Sequence, residues 1–325
     1  MSLINDGKQL WLKYFKYPYS SNTFSVSRNS IDLRIMRSET EIKNLILEFA
    51  KNDDRIRAVL LNGSRANQNI KPDKLQDFDI VFIVDNLESF TCDHSWINAF
   101  GERIIFQLPD EMTFGEKDSY TRKISFAYLM LLKDRNRIDL TLFPKQKLTS
   151  HFKPSSLTVL WLDKDKLFTH LPQSSDKDYH IKKPTEKEFL DTCNEFWWVS
   201  TYVGKGLRRD EIIYAKEMLE TVIRPMFMRV IAWKVGIENN FDVSVGKSGK
   251  FLKIYLPDDF YNKVLVTYSN FETEENWKAL FLMIEIFQQT SNFIAEKLGF
   301  TMNRKEQENT LTYLKNLHDE SKSYR

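Results

Sequence analysis

The sequence is poor in the residues that cross-link small folds or bind soft metals. Its 325 residues include only two cysteines, Cys92 and Cys193, and five histidines. The cysteines lie far apart and form no CxxC motif, which argues against a disulfide framework and against a zinc site. The histidines show no HExxH-type pairing, so a zinc-peptidase helix is not indicated.

Long apolar runs are also missing. The longest candidates, residues 126–132 and 279–287, fall far short of the ~20 residues that a membrane helix needs, and Glu285 interrupts the second. The N-terminus lacks a basic stretch followed by an apolar one, the pattern of a secretion signal. We therefore expect no membrane partner and a cytoplasmic location.

Charge of one sign is not in excess. The formal net charge is +2, so the composition gives no general electrostatic reason to expect a nucleic-acid partner. Hydrophobic residues make up 42% of the chain and charged residues 28%, which is typical of a globular protein. The length suits two domains.

The pattern of apolar residues changes along the chain and predicts an α+β fold. Residues 1–37 look like an N-terminal extension. Residues 38–170 read as a mixed β-sheet with flanking helices, and residues 171–325 as a helical bundle. Ser38 and Glu41 fit a capping box that begins a helix ending near Asn52. The other predicted elements are strands at 56–61, 77–84, 103–108, 124–133 and 138–143, short helices at 64–69 and 93–100, long helices at 186–204, 210–235, 275–298 and 304–318, and an extended stretch at 251–256.

The most informative feature is a glycine–serine turn followed by paired acids. Gly63 and Ser64 follow an apolar strand, and Asp77 and Asp79 open the next one. Side chains on a strand alternate between faces, so the two carboxylates point the same way about 7 Å apart. Backbone N–H groups at such a turn would hold phosphates. The plainer interpretation of a lone DxD is a solvated strand start.

Asp139 is unusual because it lies in the middle of an otherwise apolar strand. A carboxylate in that position needs a partner or a metal ion. If its strand lies beside the strand of Asp77 and Asp79, three acids meet on one face. Magnesium suits an all-oxygen site, and two such ions would neutralise the acids and fit a phosphoryl or nucleotidyl transfer.

These segments resemble the polymerase-β superfamily of nucleotidyltransferases, and within it the aminoglycoside 6-adenylyltransferases that act on streptomycin. The resemblance rests on residues 62–67 (NGSRAN), 76–80 (QDFDI) and 138–142 (IDLTL), and in the second half on 193–197, 199–203 and 205–207. It runs from about Met36 to near residue 300. It implies an N-terminal nucleotidyltransferase domain and a C-terminal helical substrate-binding domain.

The same resemblance implies a magnesium-dependent transfer of AMP from ATP to a streptomycin hydroxyl, with release of pyrophosphate. Carried over to this sequence, Gly63 and Ser64 hold the triphosphate, Asp77 and Asp79 bind the metal, and Asp139 is a third metal ligand and the candidate base. Arg65 can pair with phosphate oxygens, although an exposed surface arginine is an equal alternative. Lys205 and Lys216 are further candidates for the triphosphate, against the alternative of ordinary surface charge.

A second candidate site lies on the predicted helix 186–204. Asp191, Glu195, Trp198 and Tyr202 are spaced by four, three and four residues and share one face. Acidic and aromatic side chains suit a substrate with guanidinium groups, such as streptomycin, through ion pairs and cation–π contacts. The commoner reason for such a stripe is an amphipathic helix with a solvated face.

Two other functions stay open at this point. A nucleotidyltransferase of this fold can act on a protein or an RNA end, although an acidic stripe would repel a phosphate backbone. A non-catalytic nucleotide-binding protein would be stabilised by ATP and release no pyrophosphate. The sequence does not indicate an oligomeric state.

Overall fold

The computed structural model describes residues 35–113 and 124–323, with side chains as far as residue 320. Nearly all of the predicted N-terminal extension, residues 1–37, lies outside the described residues. The chain forms two compact units. The described part of the first comprises residues 35–61, 72–113, 124–152 and 160–167, and that of the second comprises residues 62–71, 153–159 and 168–323. None of the described helices has both the length and the apolar character of a membrane span.

A six-stranded sheet organises the first half of the chain. The helices there are α1 Glu39–Asn52, α2 Glu88–Thr91 and α3 Leu148–His151, and the strands are β1 Ile56–Asn62, β2 Phe78–Val84, β3 Arg103–Gln107, β4 Phe126–Leu132, β5 Arg137–Pro144 and β6 Thr158–Asp163. The order across the sheet is β3-β4-β5-β2-β1-β6. The β2–β5 pair is parallel, whereas β4 pairs antiparallel with both β3 and β5. The predicted mixed sheet is confirmed.

Helix α1 begins and ends where the sequence predicts. Ser38 accepts a hydrogen bond from the Glu41 backbone, and the Glu41 side chain accepts one from the Ser38 backbone, so both halves of the capping box form. Ile42, Ile46 and Ala50 are completely buried, one helical turn apart. This apolar stripe packs α1 into the core of the first unit.

Strand β6 was not predicted. It lies in the stretch expected to join the two halves, and most of its residues are only partly buried. Its apolar run, residues 159–162, is too short to distinguish a strand from a helical segment, and its pairing at the edge of the sheet beside β1 has no local signal.

Helices make up almost all of the second unit. They are α4 Glu186–Arg208, α5 Ile212–Met218, α6 Arg224–Glu238, α7 Leu252–Tyr255, α8 Asp258–Val266, α9 Thr273–Leu298 and α10 Arg304–Ser323, with a π-helical segment Leu219–Ile223 between α5 and α6. The four predicted long helices are present. The prediction that 251–256 is extended is wrong, because Leu252–Tyr255 is a helical turn. Leu252 and Leu256 are buried four residues apart while Ile254 is exposed, and that spacing is helical rather than strand-like.

One face of α4 forms the centre of the helical core. Phe189, Phe196, Val199 and Val203 are all buried, as expected for the apolar face of this helix. Phe196 stacks on Phe287 of α9 with ring centroids 3.6 Å apart. On the face of α4 that carries the predicted substrate stripe, Asp191, Glu195 and Trp198 are exposed, whereas Tyr202 is partly buried against the helical core.

Candidate functional site: an acidic cluster, a glycine–serine turn and an aromatic stripe

The parallel pairing of β2 with β5 brings the predicted acids together. Asp79 is the register partner of Asp139, and Asp77 immediately precedes β2. The neighbours of Asp139 on its strand, Ile138 and Leu140, are completely buried on the opposite face. Paired residues in register share a face, so Asp79 and Asp139 project to the same side of the sheet. These three residues are called the acidic cluster below.

An arginine that the sequence analysis did not single out joins this cluster. Arg137 Nε donates to Asp139 Oδ1 at 2.8 Å, and Arg137 Nη2 donates to Asp139 Oδ2 at 2.7 Å. Arg137 Nη1 lies 3.7 Å from Asp77 Oδ2. The hydrogen bond to Asp139 raises the pKa of Arg137, burial opposes this, and the charges of Asp139, Asp77 and Asp79 add to it. The sequence could have indicated this contact, because Arg137 and Asp139 are two residues apart and therefore lie on one face of β5.

The donor chemistry of the acidic cluster fits a hard divalent cation, but Arg137 occupies part of it. Carboxylate oxygens are the ligands that Mg²⁺ prefers. Within the described ranges, however, no group of three or more histidine, cysteine, aspartate or glutamate side chains is gathered closely enough to hold a metal ion. The guanidinium of Arg137 pairs with both oxygens of Asp139, where a metal ion would bind. Metal binding by all three acids therefore stays a prediction.

The glycine–serine turn belongs to the second unit and is fixed by its neighbours there. Residues Gly63–Ala66 form a 3-10 turn in which Gly63 has a φ of 73°, a left-handed conformation that favours glycine. The Gly63 N–H donates to the carbonyl oxygen of Leu157 at 3.2 Å. Ser174 Oγ donates to the carbonyl oxygen of Ala66 at 2.6 Å. The Gly63 N–H is therefore committed to a backbone bond, and the role of this residue is to shape the turn.

Side chains on both flanks of the turn hold it further. Thr158 Oγ1 donates to Asn62 Oδ1 at 2.8 Å, just before the turn. Asn69 Nδ2 donates to Asp176 Oδ1 at 2.9 Å, just after it. Ser64 and Arg65 are half-buried within this frame. Phosphate binding by these two residues stays a prediction.

On α4 two residues of the predicted substrate stripe, Trp198 and Tyr202, contact each other. Trp198 is 60% exposed, which is unusual for so large an aromatic side chain. Its Nε1 donates to the Tyr202 hydroxyl at 2.7 Å. Lys205 Nζ lies 5.8 Å from the centre of the Tyr202 ring. These three side chains form a continuous surface along one face of the helix.

The two acids of the stripe differ in their surroundings. Asp191 is paired with Lys187 at 2.6 Å, one helical turn earlier. Glu195 is exposed, and the described side chains include no hydrogen-bond or ion-pair partner for it. Glu195 is therefore the better placed of the two to receive a cation from outside the protein.

Lys216 is engaged within its own unit. Its Nζ donates to the carbonyl oxygens of Ser269 and Asn270 at 3.0 and 3.2 Å, and it lies 3.3 Å from Asn276 Oδ1. These acceptors lie in the connection between α8 and α9 and in the first turn of α9. The contacts favour a structural role for Lys216, and its predicted contact with a triphosphate has no support from them.

Comparison with known proteins finds a matching family and named relatives. A family model described as streptomycin adenylyltransferase matches residues 36–317. An aminoglycoside 6-adenylyltransferase of Campylobacter jejuni is 42% identical over 265 residues, covering 82% of this chain and 91% of that protein. One from Bacillus subtilis (strain 168) is 40% identical over 266 residues, covering 82% of this chain and 93% of that protein.

A third relative and a solved structure carry similar names. An aminoglycoside 6-adenylyltransferase of Staphylococcus aureus is 40% identical over 261 residues, covering 80% of this chain and 92% of that protein. The crystal structure of an aminoglycoside 6-adenyltransferase from Bacillus subtilis covers 87% of this chain and 99% of its own, with 35% identity and a TM-score of 0.43. On the family match and the three relatives, this chain belongs to the streptomycin adenylyltransferase family of adenylyltransferase enzymes.

Proposed function

We propose that this protein transfers AMP from ATP to a hydroxyl group of streptomycin, with release of pyrophosphate and with Mg²⁺ as the cofactor. Its family and the names of its relatives support adenylyl transfer to an aminoglycoside. The observation that carries the proposal is the register of Asp79 with Asp139 across β2 and β5, with Asp77 beside them. Three carboxylates on one side of a sheet suit the binding of cations, and of phosphates through those cations, more than they suit stability.

Asp77, Asp79 and Asp139 are the residues that would hold Mg²⁺. When bound there, the cation supplies positive charge that draws electron density from the phosphate oxygens and lowers the pKa of a coordinated hydroxyl. The side chain of Asp77 is 38% exposed and that of Asp139 is 20% exposed, so both carboxylates lie partly at the surface.

In the proposed reaction, the drug hydroxyl oxygen forms a bond with the α-phosphorus of ATP. The bond from that phosphorus to the oxygen bridging the α- and β-phosphates breaks, and pyrophosphate leaves with the bonding electrons. Asp139 takes up the hydroxyl proton, because a neutral hydroxyl is a poor nucleophile. Its place in the middle of a buried strand fixes the carboxylate at a defined position.

We assign the binding of the triphosphate to the glycine–serine turn and to the cationic side chains predicted from the sequence. Ser64 offers a hydroxyl and Arg65 a guanidinium, which can pair with two phosphate oxygens. The bonds of the turn to Leu157, Thr158 and Ser174 fix its conformation before ATP binds. Lys205 stays a candidate for the same role, whereas Lys216 is less suited to it because its ammonium group is already engaged.

We place the binding site for the drug on the exposed face of α4. Streptomycin carries guanidinium groups, which suit the carboxylate of Glu195 and the faces of Trp198 and Tyr202. Asp191 belongs to the same stripe, but its pair with Lys187 must open before it can bind a cation. This arrangement favours a strongly cationic aminoglycoside.

Pyrophosphate release tests the proposal. The purified protein is supplied with ATP and Mg²⁺, with streptomycin, with aminoglycosides that lack guanidinium groups, or with no drug. We expect release that depends on streptomycin and is lost when EDTA removes the cation. Pyrophosphate release with the other aminoglycosides but not with streptomycin would contradict streptomycin as the substrate. ATP-dependent thermal stabilisation without release in any sample would instead indicate a nucleotide-binding protein without turnover.

A further inference from the structure

The guanidinium of Arg137 partly neutralises the negative charge of the acidic cluster. Its guanidinium forms a two-pronged pair with Asp139 at 2.8 and 2.7 Å and also approaches Asp77 at 3.7 Å. Such fork-like pairs are the strongest and most directional ion pairs that arginine makes. Three adjacent carboxylates would otherwise repel one another.

This pair competes with any metal ion for the same atoms. Each Asp139 oxygen accepts one hydrogen bond from Arg137, so one of the two lone pairs on each oxygen is already engaged. The guanidinium also places a positive charge where a divalent cation would lie, and like charges repel. Arg137 and a metal ion that binds through Asp139 therefore weaken each other's binding.

We infer that Arg137 is the protein's own counter-ion for the acidic cluster, and that a divalent cation binding through Asp139 competes with it. The inference rests on the proposed function in taking the cluster as the metal site. In this account Arg137 is a positioning residue. It holds Asp139 in place before a metal ion binds, and it raises the metal concentration at which the cluster is half occupied.

The surroundings of Arg137 allow this exchange. Its side chain is 43% exposed, whereas that of Asp139 is 20% exposed. A long side chain that is nearly half in water can swing outward at low cost, because water replaces its hydrogen bonds. Asp139 cannot move in the same way, since buried neighbours on β5 fix its backbone.

Metal binding without ATP or drug tests the inference apart from turnover. Mn²⁺ serves as the probe, because the loss of its free electron paramagnetic resonance signal reports binding directly. Arg137→Gln removes the competing charge while keeping a polar side chain of similar length. We expect Mn²⁺ to bind between about threefold and tenfold more tightly than to the wild type, the scale of a partly exposed ion pair.

Arg57→Gln is the matched control. Arg57 also lies on a strand of the same sheet and is paired with one aspartate, Asp165. Its other charged neighbours are Asp85 and Asp54, so it does not face the acidic cluster. We expect this variant to bind Mn²⁺ as the wild type does. An equal gain in both arginine variants would show a general effect of net charge and would overturn the inference.

A double-mutant comparison identifies the partner. In an Asp139→Asn background, Arg137 loses its two-pronged partner and keeps only the longer approach to Asp77, so adding Arg137→Gln is expected to give a smaller gain. The same gain in both backgrounds would contradict competition at Asp139. Should Arg137→Gln fold poorly, Arg137→Lys keeps the charge but loses the fork, and a smaller gain is expected.

Failure of this inference is distinguishable from failure of the proposed function. A wild type that releases pyrophosphate with streptomycin, together with unchanged Mn²⁺ affinity in Arg137→Gln, overturns the inference alone. Tighter Mn²⁺ binding in Arg137→Gln, together with no release from the wild type on any aminoglycoside, overturns the proposed function alone.

Discussion

Asp79 and Asp139 lie directly opposite each other in the parallel pair of β2 and β5, although they are 60 positions apart in the sequence. The register places both carboxylates on one side of the sheet, because paired residues in neighbouring strands share a face. Buried residues flank both positions on their strands and face the other side. The acidic cluster is thus set by the backbone pairing and does not depend on flexible loops.

Replacing Asp79 with asparagine tests the metal assignment. Asp79→Asn keeps the volume of the side chain and removes its charge, so we expect AMP transfer to fall by roughly 100-fold or more. The fold should be retained, with a free energy of unfolding within about 1 kcal/mol of the wild type. Pyrophosphate release and thermal unfolding measure the two effects. Turnover at the wild-type rate would refute the role of Asp79 in metal binding.

Asp139→Asn separates catalysis from binding. If Asp139 takes up the hydroxyl proton, the variant should lose about 100-fold or more in kcat, the scale of general-base catalysis. ATP affinity, measured by titration calorimetry, should change much less. Equal losses in turnover and ATP binding would argue against a base and leave Asp139 as a binding residue only.

Glu195→Gln tests the substrate stripe on α4. Loss of the exposed carboxylate should weaken streptomycin binding between about twofold and tenfold and leave ATP binding unchanged. Asp191→Asn is the matched comparison on the same helix. Because Asp191 is paired with Lys187, we expect a smaller effect. Unchanged drug affinity in Glu195→Gln would remove this residue from the binding surface.

Gly204→Ala tests the packing of α4 against α10. A Cβ atom at this position would lie 2.5 Å from Leu314 Cδ2, closer than real side chains approach. We expect overpacking to lower the free energy of unfolding by about 1–3 kcal/mol. Asn194→Ala, at an exposed position of the same helix, should change it by less than about 0.5 kcal/mol. Equal stability of the two variants in thermal unfolding would contradict this packing.

The three acids could be singled out because the signal of each is local, whereas their meeting depends on the pairing of β2 with β5 and was only a conditional expectation. Asp77 and Asp79 are spaced by two at a strand start, and Asp139 interrupts an apolar strand. Strand periodicity then gives the face of each side chain. The capping box at Ser38 is local in the same sense, since its two partners are three residues apart.

The features that were missed depend on contacts between distant segments. Strand β6 has a short apolar run that fits a strand or a helix, and only its pairing beside β1 at the sheet edge defines it as a strand. The partners of Lys216 lie more than 50 positions further along the chain, so its structural role has no local signal. Arg137 is two residues from Asp139, but only the position of Asp77 beside that pair shows that it serves the whole cluster.

The most direct test of the central claim is the mass of the drug after incubation with the wild-type protein, ATP and Mg²⁺. We predict that streptomycin gains the mass of one AMP moiety, that pyrophosphate appears in equal amount, and that neither occurs with Asp79→Asn. Unmodified streptomycin after ATP has been consumed, or modification of the drug by Asp79→Asn at the wild-type rate, would contradict the account.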